Sequence, residues 1–466
     1  MKTSSISSRF IALAAVIVAF TLLFFKAWKP GLNWFLFATV CSITPFIVIP
    51  RDQLKPYILP MLALVISGFS VFWHYNALSI ACTLCSFWFL SSKMVNPKVD
   101  PGVGSILGFV NLIVSPIGAF VRLFQRMQGE NTGFRRVLNH LLIPGFLVFI
   151  FGILYYHSSP TFRTVLEQFN WDDLPSFVFT IIIGLFFGTV LLYSFLSNLW
   201  SSDFAQKSES LTRSMGGESY LTSWKIGIWS IVVLLSIVVV TDFYYKSMGM
   251  MPEGLTYSSY LHQGVFSLIV SIVLAAIIAV LTANYTANQP STGMLAANYS
   301  FLGLNFVYVW QNVFRNQAYV LEHGLTEKRI IIFFYLVVCL FGLLITAYTI
   351  YKNMPIGFLY KWCSYCVFLI AVTSSLFDWS SIITQHNVNH PDFANKIDHE
   401  YLLSLNKSNT HILYEHMNRF DESVQNQIHY RAESITKYSN TDLREMRLGH
   451  EITANKLFEL MKTDNN

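Results

Sequence analysis

Long apolar runs, separated by short polar connections, occupy most of the first 383 residues. A transmembrane helix needs roughly 20 mostly apolar residues. Eight stretches meet this length, namely 10–28, 32–50, 57–75, 141–157, 176–199, 224–244, 262–283 and 331–351. Two more, shorter or more polar, are 76–90 and 356–377. The pattern therefore predicts ten membrane-spanning helices.

Two further apolar stretches are interrupted. The stretch 103–121 contains Pro116 and Gly118, and the stretch 292–314 contains three asparagines. The asparagines are spaced seven residues apart, which places them on one face of a helix, and they are Asn298, Asn305 and Asn312. We expect both stretches to re-enter the membrane or to lie at its surface. If both span, the chain has twelve spans, which is the alternative.

Basic residues test this count, because cytoplasmic loops of membrane proteins carry an excess of Lys and Arg. With ten spans, an inner N-terminus and the last 83 residues left out, 16 Lys and Arg lie inside and 6 outside. A span at 292–314 alone would weaken this imbalance. We therefore prefer an even count, which places the N- and C-termini together in the cytosol.

The N-terminus resembles a signal peptide, with Lys2 and Arg9 ahead of an apolar run. Signal peptidase sites need small residues, whereas this run ends in the bulky sequence FFKAW at 24–28. We interpret the run as an uncleaved first helix. Gly104-x-x-x-Gly108 and Gly184-x-x-x-Gly188 predict close packing between helices.

Composition agrees with a membrane protein and distinguishes the C-terminal region by its higher content of charged residues. Charged residues make up 12% of the chain, against about 25% in soluble proteins. Residues 384–466 alone hold 12 of the 26 acids and 9 of the 31 bases, with apolar residues at roughly helical spacing. The predicted fold is all-α: a polytopic transmembrane helix bundle (1–383) followed by a soluble, helical, cytosolic tail (384–466).

The tail carries neither a glycine-rich loop nor a strong basic patch. Its excess of acids over bases argues against nucleic acid as a partner. We expect the tail to dock on a protein partner or on its own membrane domain. The other predicted partner is the lipid bilayer.

Two cysteine pairs lie in predicted spans, Cys82 with Cys85 and Cys363 with Cys366. Their i, i+3 spacing would suit a thiol oxidoreductase or a soft-metal site. A redox pair usually lies at a helix N-terminus, where the helix dipole stabilises the thiolate, and neither pair clearly does. We interpret all four as packing residues.

Metal and nucleotide chemistry find little support in the sequence. His386 and His390 have an i, i+4 metal-ligand spacing, but Pro391 disturbs the helix and no HExxH motif is present, so we interpret them as structural or surface residues. No cofactor is predicted. Walker A, dinucleotide-binding and GxSxG motifs are absent from the sequence. Acids and bases are scarce inside the predicted spans, which weakens a proton pump or an ion-coupled transporter.

The stretch YVLEHGLTEKR, residues 319–329, is rich in charge between two apolar runs. Gly324 suits a helix end and Thr326 the start of the next helix, so a cytosolic turn is the preferred interpretation. A ligand site is the alternative, because residues upstream share one broad helix face. The candidate polar cluster consists of Arg315, Tyr319, Glu322, His323 and Arg329, joined by Tyr260, His262 and Asp378.

Four ordered motifs resemble one group of proteins. They are Tyr260-x-x-x-Gly264-x-Phe266; Arg315-x-x-x-Tyr319-x-x-x-x-Gly324-Leu325-Thr326-x-x-Arg329; Asp378-Trp379 with Ile382 and Asn387; and Ile397-Asp398-x-x-Tyr401-Leu402-x-x-Leu405. Over about residues 220–410 the chain is similar to the bacterial polytopic membrane proteins of domain-of-unknown-function families 4153 and 4173. His390 departs from that pattern, which leads us to expect arginine. The resemblance implies a bacterial inner-membrane protein with a cytosolic helical tail, and no established activity.

These observations leave three hypotheses for function. The preferred one is a non-enzymatic, permease-like or scaffolding component of an envelope system. The alternatives are a membrane enzyme acting on lipid or lipid-linked substrates at the cytosolic interface, and a sensor that signals through the tail. Convergence of Arg315 and Glu322 with Tyr260, His262 and Asp378 on one cavity would favour the enzyme.

Overall fold

The computed structural model describes residues 6–111, 174–193, 218–247, 292–437 and 442–464, together with residues 272, 276 and 279. All regular secondary structure in these ranges is helical, which confirms the all-α prediction for them. Long helices form a bundle, and a group of short helices packs on one end of it. The predicted spans at 141–157 and most of 262–283 lie outside the described residues.

Nine long helices build the described part of the bundle. They are α1 (Ile6–Phe24), α2 (Leu32–Val48), α3 (Ile58–Trp73), α4 (Ala77–Val95), α5 (Leu174–Tyr193), α6 (Glu218–Ser247), α7 (Thr292–His323), α8 (Glu327–Tyr351) and α9 (Ile356–Ser374). A further helical segment, 101–111, follows α4. It packs tightly there, since a Cβ on Gly108 would lie 2.3 Å from the Cβ of Trp88. The predicted close packing at this glycine is confirmed.

Several of these helices are able to cross a membrane. In the described ranges, four segments have the required length and hydropathy, namely Lys55–Trp73, Ala77–Val95, Glu327–Tyr351 and Ile356–Ser374. Shorter apolar helical segments are Ser8–Phe24, Leu32–Val48, Ser176–Leu192 and Lys225–Ile237. The count of ten spans is not confirmed by these helices.

Contacts between neighbouring helices fix their directions. The ring of Phe25, just after α1, lies 5.4 Å from that of Phe177 near the start of α5. At the opposite end, the Ser91 hydroxyl donates to the Val190 carbonyl at 2.5 Å. We call the end where α1 finishes the tail end, because the C-terminal helices pack there, and the opposite end the far end.

Helix α7 runs the length of the bundle instead of lying across one end. It packs parallel to α6: Lys225 lies beside Gly293, and the Gln311 Nε2 donates to the Val239 carbonyl at 3.1 Å. With 32 residues the helix is about 48 Å long. The prediction that 292–314 does not span the membrane stays a prediction, since α7 is not among the four segments that have the length and hydropathy of a span. Its asparagines lower the hydropathy of the stretch, yet they are buried inside the bundle.

The start of α1 and the C-terminal helices occupy different ends of the bundle. Helix α1 begins at the far end, since Leu13 packs on Gly188 near the end of α5. The C-terminal helices lie at the tail end. The start of α1 and the tail therefore lie at opposite ends of the described bundle. The prediction that the N- and C-termini are both cytosolic is not tested by these positions and stays a prediction.

Helix α9 joins the two halves of the bundle. Its Phe368 ring lies 5.3 Å from the ring of Phe89 on α4, and its Ala371 carbonyl accepts a hydrogen bond from the Cys82 thiol at 3.4 Å. The hydroxyls of Ser70 and Ser375 are 3.2 Å apart just beyond its end. All six cysteines are free thiols, and Cys82 contacts α9 as a packing residue.

The tail consists of short helices around its own core. These are α10 (Trp379–Val388), α11 (Phe393–Lys396), α12 (His399–Ser404), α13 (Thr410–Glu415), α14 (Glu422–Lys437) and α15 (Leu448–Asp464). Ile383, Leu402, Leu413, Ile428 and Leu457 are completely buried among them. Ile330 of α8 belongs to the same apolar core. The tail core is therefore continuous with the bundle.

Candidate functional site

The charged stretch at 319–329 forms the sharp turn between α7 and α8. Gly324 adopts a left-handed backbone, with φ of +73°. A Cβ there would lie 2.5 Å from Ile397 Cδ1 and 2.6 Å from Asn387 Oδ1. Thr326 caps α8 by accepting a hydrogen bond from the Arg329 N–H at 3.4 Å. The turn predicted from the sequence is thus present, and the tail packs directly on it.

Asn387 of α10 holds this turn by its backbone. Its Oδ1 accepts from the Leu325 N–H at 2.6 Å, and its Nδ2 donates to the Leu325 carbonyl at 2.9 Å. A side-chain amide offers one donor and one acceptor side by side, which matches a single backbone residue. The Tyr401 hydroxyl accepts from the Glu327 N–H at 2.9 Å. We call these contacts, with those of His390, the turn junction.

His390 completes the turn junction from the end of α10. The Asp392 N–H donates to its Nδ1 at 3.1 Å, so Nε2 carries the proton and donates to the Leu321 carbonyl at 2.9 Å. Leu321 lies in the last turn of α7, whose carbonyls lack partners within the helix. Both imidazole nitrogens are used, and this leaves no lone pair for a metal. An arginine at this position would supply the same kind of donor.

Three of the candidate polar residues come together at the turn. The Arg329 guanidinium lies 4.2 Å from the centre of the Tyr319 ring and donates to the carbonyls of His323 (2.7 Å) and Gly324. The rings of Tyr319 and His323 are 4.8 Å apart, edge to face. Arg329 therefore stabilises the C-terminus of α7, where the helix dipole favours a positive charge.

The other candidates are more dispersed. Arg315 and Glu322 lie on α7, Arg315 half-buried and Glu322 exposed. Asp378 lies at the opposite end of α10 from Asn387, where it caps the helix and accepts from the hydroxyls of Ser381 (2.7 Å) and Ser408 (3.0 Å). Tyr260 and His262 lie outside the described residues.

An open groove of about 700 Å³ lies between α7 and α10 at the tail end. Apolar side chains form much of its wall, with amides, imidazoles and a hydroxyl among them. Its lining residues are Leu321, Ser381, Ile382, Gln385, His386, Asn389, His390, Pro391 and Ile412. Burial and the neighbouring His390 lower the pKa of His386. None of these residues is a carboxylate, and the described ranges hold no cluster of three or more His, Cys, Asp or Glu suited to a metal.

A second set of tail contacts, which we call the loop junction, involves the α1–α2 and α3–α4 connections. The Leu32 N–H donates to the Met446 carbonyl at 2.9 Å, and the Arg447 Nε donates to the Pro30 carbonyl at 2.9 Å. Arg447 also lies 4.1 Å from the centre of the Tyr75 ring. Gly449 packs so closely that a Cβ would lie 2.3 Å from the Trp73 carbonyl oxygen.

Buried histidines distinguish the loop junction. His74 is only 6% exposed, and neither of its ring nitrogens has a hydrogen-bond partner in the described structure. Burial lowers the pKa of His74, and the nearby Asp378 and the backbone of Ser375 partly offset this effect. Burial also lowers the pKa of His411 and of His450 in the tail. The loop junction was not predicted from the sequence. Arg447 and Gly449 were the residues that could have pointed to it, in an otherwise ordinary amphipathic tail.

The geometry defines an all-helical protein with several membrane-capable helices and a tail packed on one end. The chain belongs to the family described as domain of unknown function DUF4153, whose model matches residues 11–416. The match includes both sides of the turn junction and ends just after α13, so α14 and α15 lie beyond it. Comparisons with curated proteins and with solved structures gave no match.

Proposed function

We propose that this protein is a non-enzymatic, multi-pass component of the bacterial inner membrane that acts as a scaffold for a protein partner. The observation that carries this proposal is the attachment of the tail to both halves of the bundle. Asn387 and His390 hold it to the α7–α8 turn, and Glu445–Gly449 hold it to the first four helices. The tail therefore presents its outer surface in a fixed orientation to the membrane.

The outer surface of the tail offers anchors for such a partner. Tyr430 is 77% exposed and Phe458 is 62% exposed, although both lie on helices whose other faces are buried. Aromatic side chains provide large contact areas at low entropic cost, and they are enriched at protein interfaces. The exposed aromatic residues therefore support a protein as the binding partner of the outer surface of the tail.

The basic residues at the two ends of the bundle support one sidedness for the tail. Among the described residues before Asp378, eight lie toward the far end: Arg9, Arg51, Lys55, Lys93, Lys98, Lys225, Lys352 and Lys361. Six lie toward the tail end: Lys26, Lys29, Lys246, Arg315, Lys328 and Arg329. The positive-inside rule assigns the richer end to the cytosol. The start of α1 then faces the cytosol and the tail faces the outer side of the membrane.

Site-specific photo-crosslinking in cells tests the scaffold. A photoreactive residue at Tyr430 or Phe458 is expected to give a protein adduct of discrete mass. The control position is Tyr360, 43% exposed on α9, where lipid is the expected neighbour. Absence of any protein adduct from both tail positions would contradict the scaffolding proposal.

Cysteine labelling tests the sidedness. Asp52 at the far end and Asp421 in the tail are both exposed, so either position accepts a cysteine after the native thiols are replaced. An impermeant maleimide added to spheroplasts should label Asp421→Cys and leave Asp52→Cys unlabelled until the cells are lysed. Labelling of both before lysis would refute opposite placement of the two ends.

A permease-like role is the second candidate, and the buried amides of α7 favour it. Asn298, Asn305 and Asn316 are fully buried, and Asn312 is 1% exposed. The enzyme hypothesis gains less support, because Asp378 is engaged in capping α10 away from Arg329 and Tyr319.

A further inference from the structure

The open groove between α7 and α10 lies where two membrane-capable helices have their tail-end termini. Helix α9 ends at Ser374, and α10 begins shortly afterwards at Trp379. Helix α8 begins at Glu327, just after Leu321 of α7, which forms one wall of the groove. Both α8 and α9 have the length and hydropathy of a membrane span. In a membrane, we therefore expect the groove at the level of the bilayer surface.

An exposed apolar stripe on α7 leads into this groove. It consists of Trp310, Phe314 and Leu321, all of them exposed in the described structure, and we call it the α7 stripe. Steps of four and seven residues keep the three side chains within an arc of about 40° around the helix. From Trp310 to Leu321 the stripe rises about 16 Å, roughly half the 30 Å thickness of a bilayer core. Its length therefore matches the acyl chains of one leaflet.

The wall formed by α10 adds neutral hydrogen-bonding groups. Ile382, Gln385 and His386 have an i, i+3, i+4 spacing, so they share one face of the helix, and all three line the groove. The side chains of Gln385 and His386 are exposed there. An amide and an imidazole each offer an N–H donor. Because none of the lining residues is a carboxylate, an anionic group would meet donors and no like charge.

The groove is large enough for part of a lipid. Its volume of about 700 Å³ falls within the range of roughly 300–1,000 Å³ that is usual for small-molecule sites. The apolar wall at Leu321 is continuous with the α7 stripe, which points toward the bilayer side of the groove. A molecule with an apolar chain and a polar end matches both walls at once.

We propose that this groove binds a phospholipid of the surrounding bilayer, with an acyl chain along the α7 stripe and the phosphate diester beside Gln385 and His386. The diester oxygens accept hydrogen bonds from the two side chains, and hydrogen bonds to a charged acceptor are stronger than those between neutral groups. The site is separate from the exposed aromatic residues of the scaffold surface, Tyr430 and Phe458, which lie on α14 and α15.

Native mass spectrometry of the full-length protein tests this site. The protein is reconstituted into vesicles of phosphatidylethanolamine and phosphatidylglycerol and then extracted into a mild detergent. The wild type should retain a bound phospholipid, and Ile382→Trp, which fills the groove, should retain several-fold less. The matched control is Leu369→Trp, an exposed position on α9 outside the groove, which should retain as much as the wild type. Equal retention by Ile382→Trp and Leu369→Trp would overturn the inference.

A second variant tests the polar end without filling the groove. The double variant Gln385→Leu, His386→Leu changes exposed side chains only, so its melting temperature should equal that of the wild type. The wild type should retain phospholipid several-fold better than diacylglycerol, which lacks the phosphate, and the double variant should lose this preference. A wild type without such a preference, or a double variant that keeps it, would contradict the phosphate contact.

Two further measurements identify the occupant of the groove. Excess inorganic phosphate should leave the phospholipid bound to the wild type; displacement would point to free phosphate as the ligand and overturn the lipid. A photoreactive residue at Ile382 should form an adduct with the mass of a phospholipid. A protein adduct there would show that a partner segment fills the groove instead. None of these results bears on crosslinking from Tyr430 or Phe458, so the site and the scaffold fail independently.

Discussion

The tail is held to the bundle at two junctions that differ in how completely their polar groups are paired. At the turn junction, Asn387 and His390 satisfy backbone groups of Leu325 and Leu321, and every named atom has a partner. At the loop junction, contacts are made largely by backbone and by close approach of glycine, and the buried His74 has no partner in the described structure. We therefore expect the turn junction to be the more stable of the two and the loop junction to be sensitive to protonation.

Replacing Asn387 should produce the largest effect, because it removes both hydrogen bonds to Leu325. The variant Asn387→Leu leaves a backbone N–H and a carbonyl without partners, a cost of about 2–4 kcal/mol. We expect a clear fall in melting temperature of the detergent-purified protein and new proteolytic cleavage near 324–326. The matched control is Asn389→Leu, since the exposed Asn389 bonds only to Gln385 of its own helix. Equal effects of both variants would contradict the role of Asn387 in holding the α7–α8 turn.

Gly324→Ala should have the next largest effect. Its φ of +73° and the nearby Ile397 Cδ1 oppose any Cβ, so we expect a loss of about 2–3 kcal/mol. The control is Gly303→Ala in α7, where a Cβ would meet no atom within 4 Å. Chemical denaturation should show the loss only for Gly324→Ala. If Gly324→Ala leaves the free energy of unfolding unchanged, the tail must shift at little cost to accommodate a Cβ at this turn.

The turn junction was partly readable from the sequence, whereas the loop junction was not. Gly324, Thr326 and their spacing predicted a helix end and a helix start, because these conformations are local. Asn387 and Tyr401 were singled out only by resemblance, since their partners lie 62 and 74 residues away. Nothing local marks Arg447 as a partner of Pro30, which is 417 residues distant.

The packing of α7 was not readable from hydropathy for a similar reason. An average over 292–314 registers the asparagines as polar, but it does not show which way they face. Their seven-residue spacing did predict a shared face, and that face is the buried one. The all-helical fold class was therefore predictable, whereas the position of α7 along the bundle depended on the partners of this one helix.

Arg447→Ala should weaken the loop junction by about 1–2 kcal/mol. The change removes the hydrogen bond to the Pro30 carbonyl and the contact with the Tyr75 ring, both partly exposed. Hydrogen exchange of α15 should rise, whereas exchange of α10 should stay unchanged, since the turn junction is intact. The control is Lys456→Ala on the exposed face of α15. Uniform loosening of the whole tail would show that the two junctions are not independent.

Acidification should have the smallest effect per residue and should act at the loop junction. Burial lowers the pKa of His74, His411 and His450 below the ordinary value of 6.5, so an undocked or unfolded tail binds protons more readily than the docked one. The stability contributed by the neutral rings is complete above pH 6.5 and is lost as the pH falls below it, by at most about 1.4 kcal/mol per histidine and pH unit. Among the neighbouring charges, Asp378 favours protonation of His74. Lys456 opposes protonation of His411, whereas Asp378 and Glu415 favour it; Glu451 favours protonation of His450, whereas Arg447 and Lys407 oppose it.

The measurement is the melting temperature of the full-length protein between pH 7.5 and 5.5. We expect a decline in the wild type and a shallower decline in His74→Gln, which keeps a polar side chain but does not titrate. The control is His429→Gln, because His429 is exposed on α14 and lies outside both junctions. An identical pH dependence in wild type and His74→Gln would locate the acid sensitivity elsewhere. If α15 loses protection from hydrogen exchange at a higher pH than α10 does, protonation opens the loop junction while the hydrogen bonds of Asn387 persist.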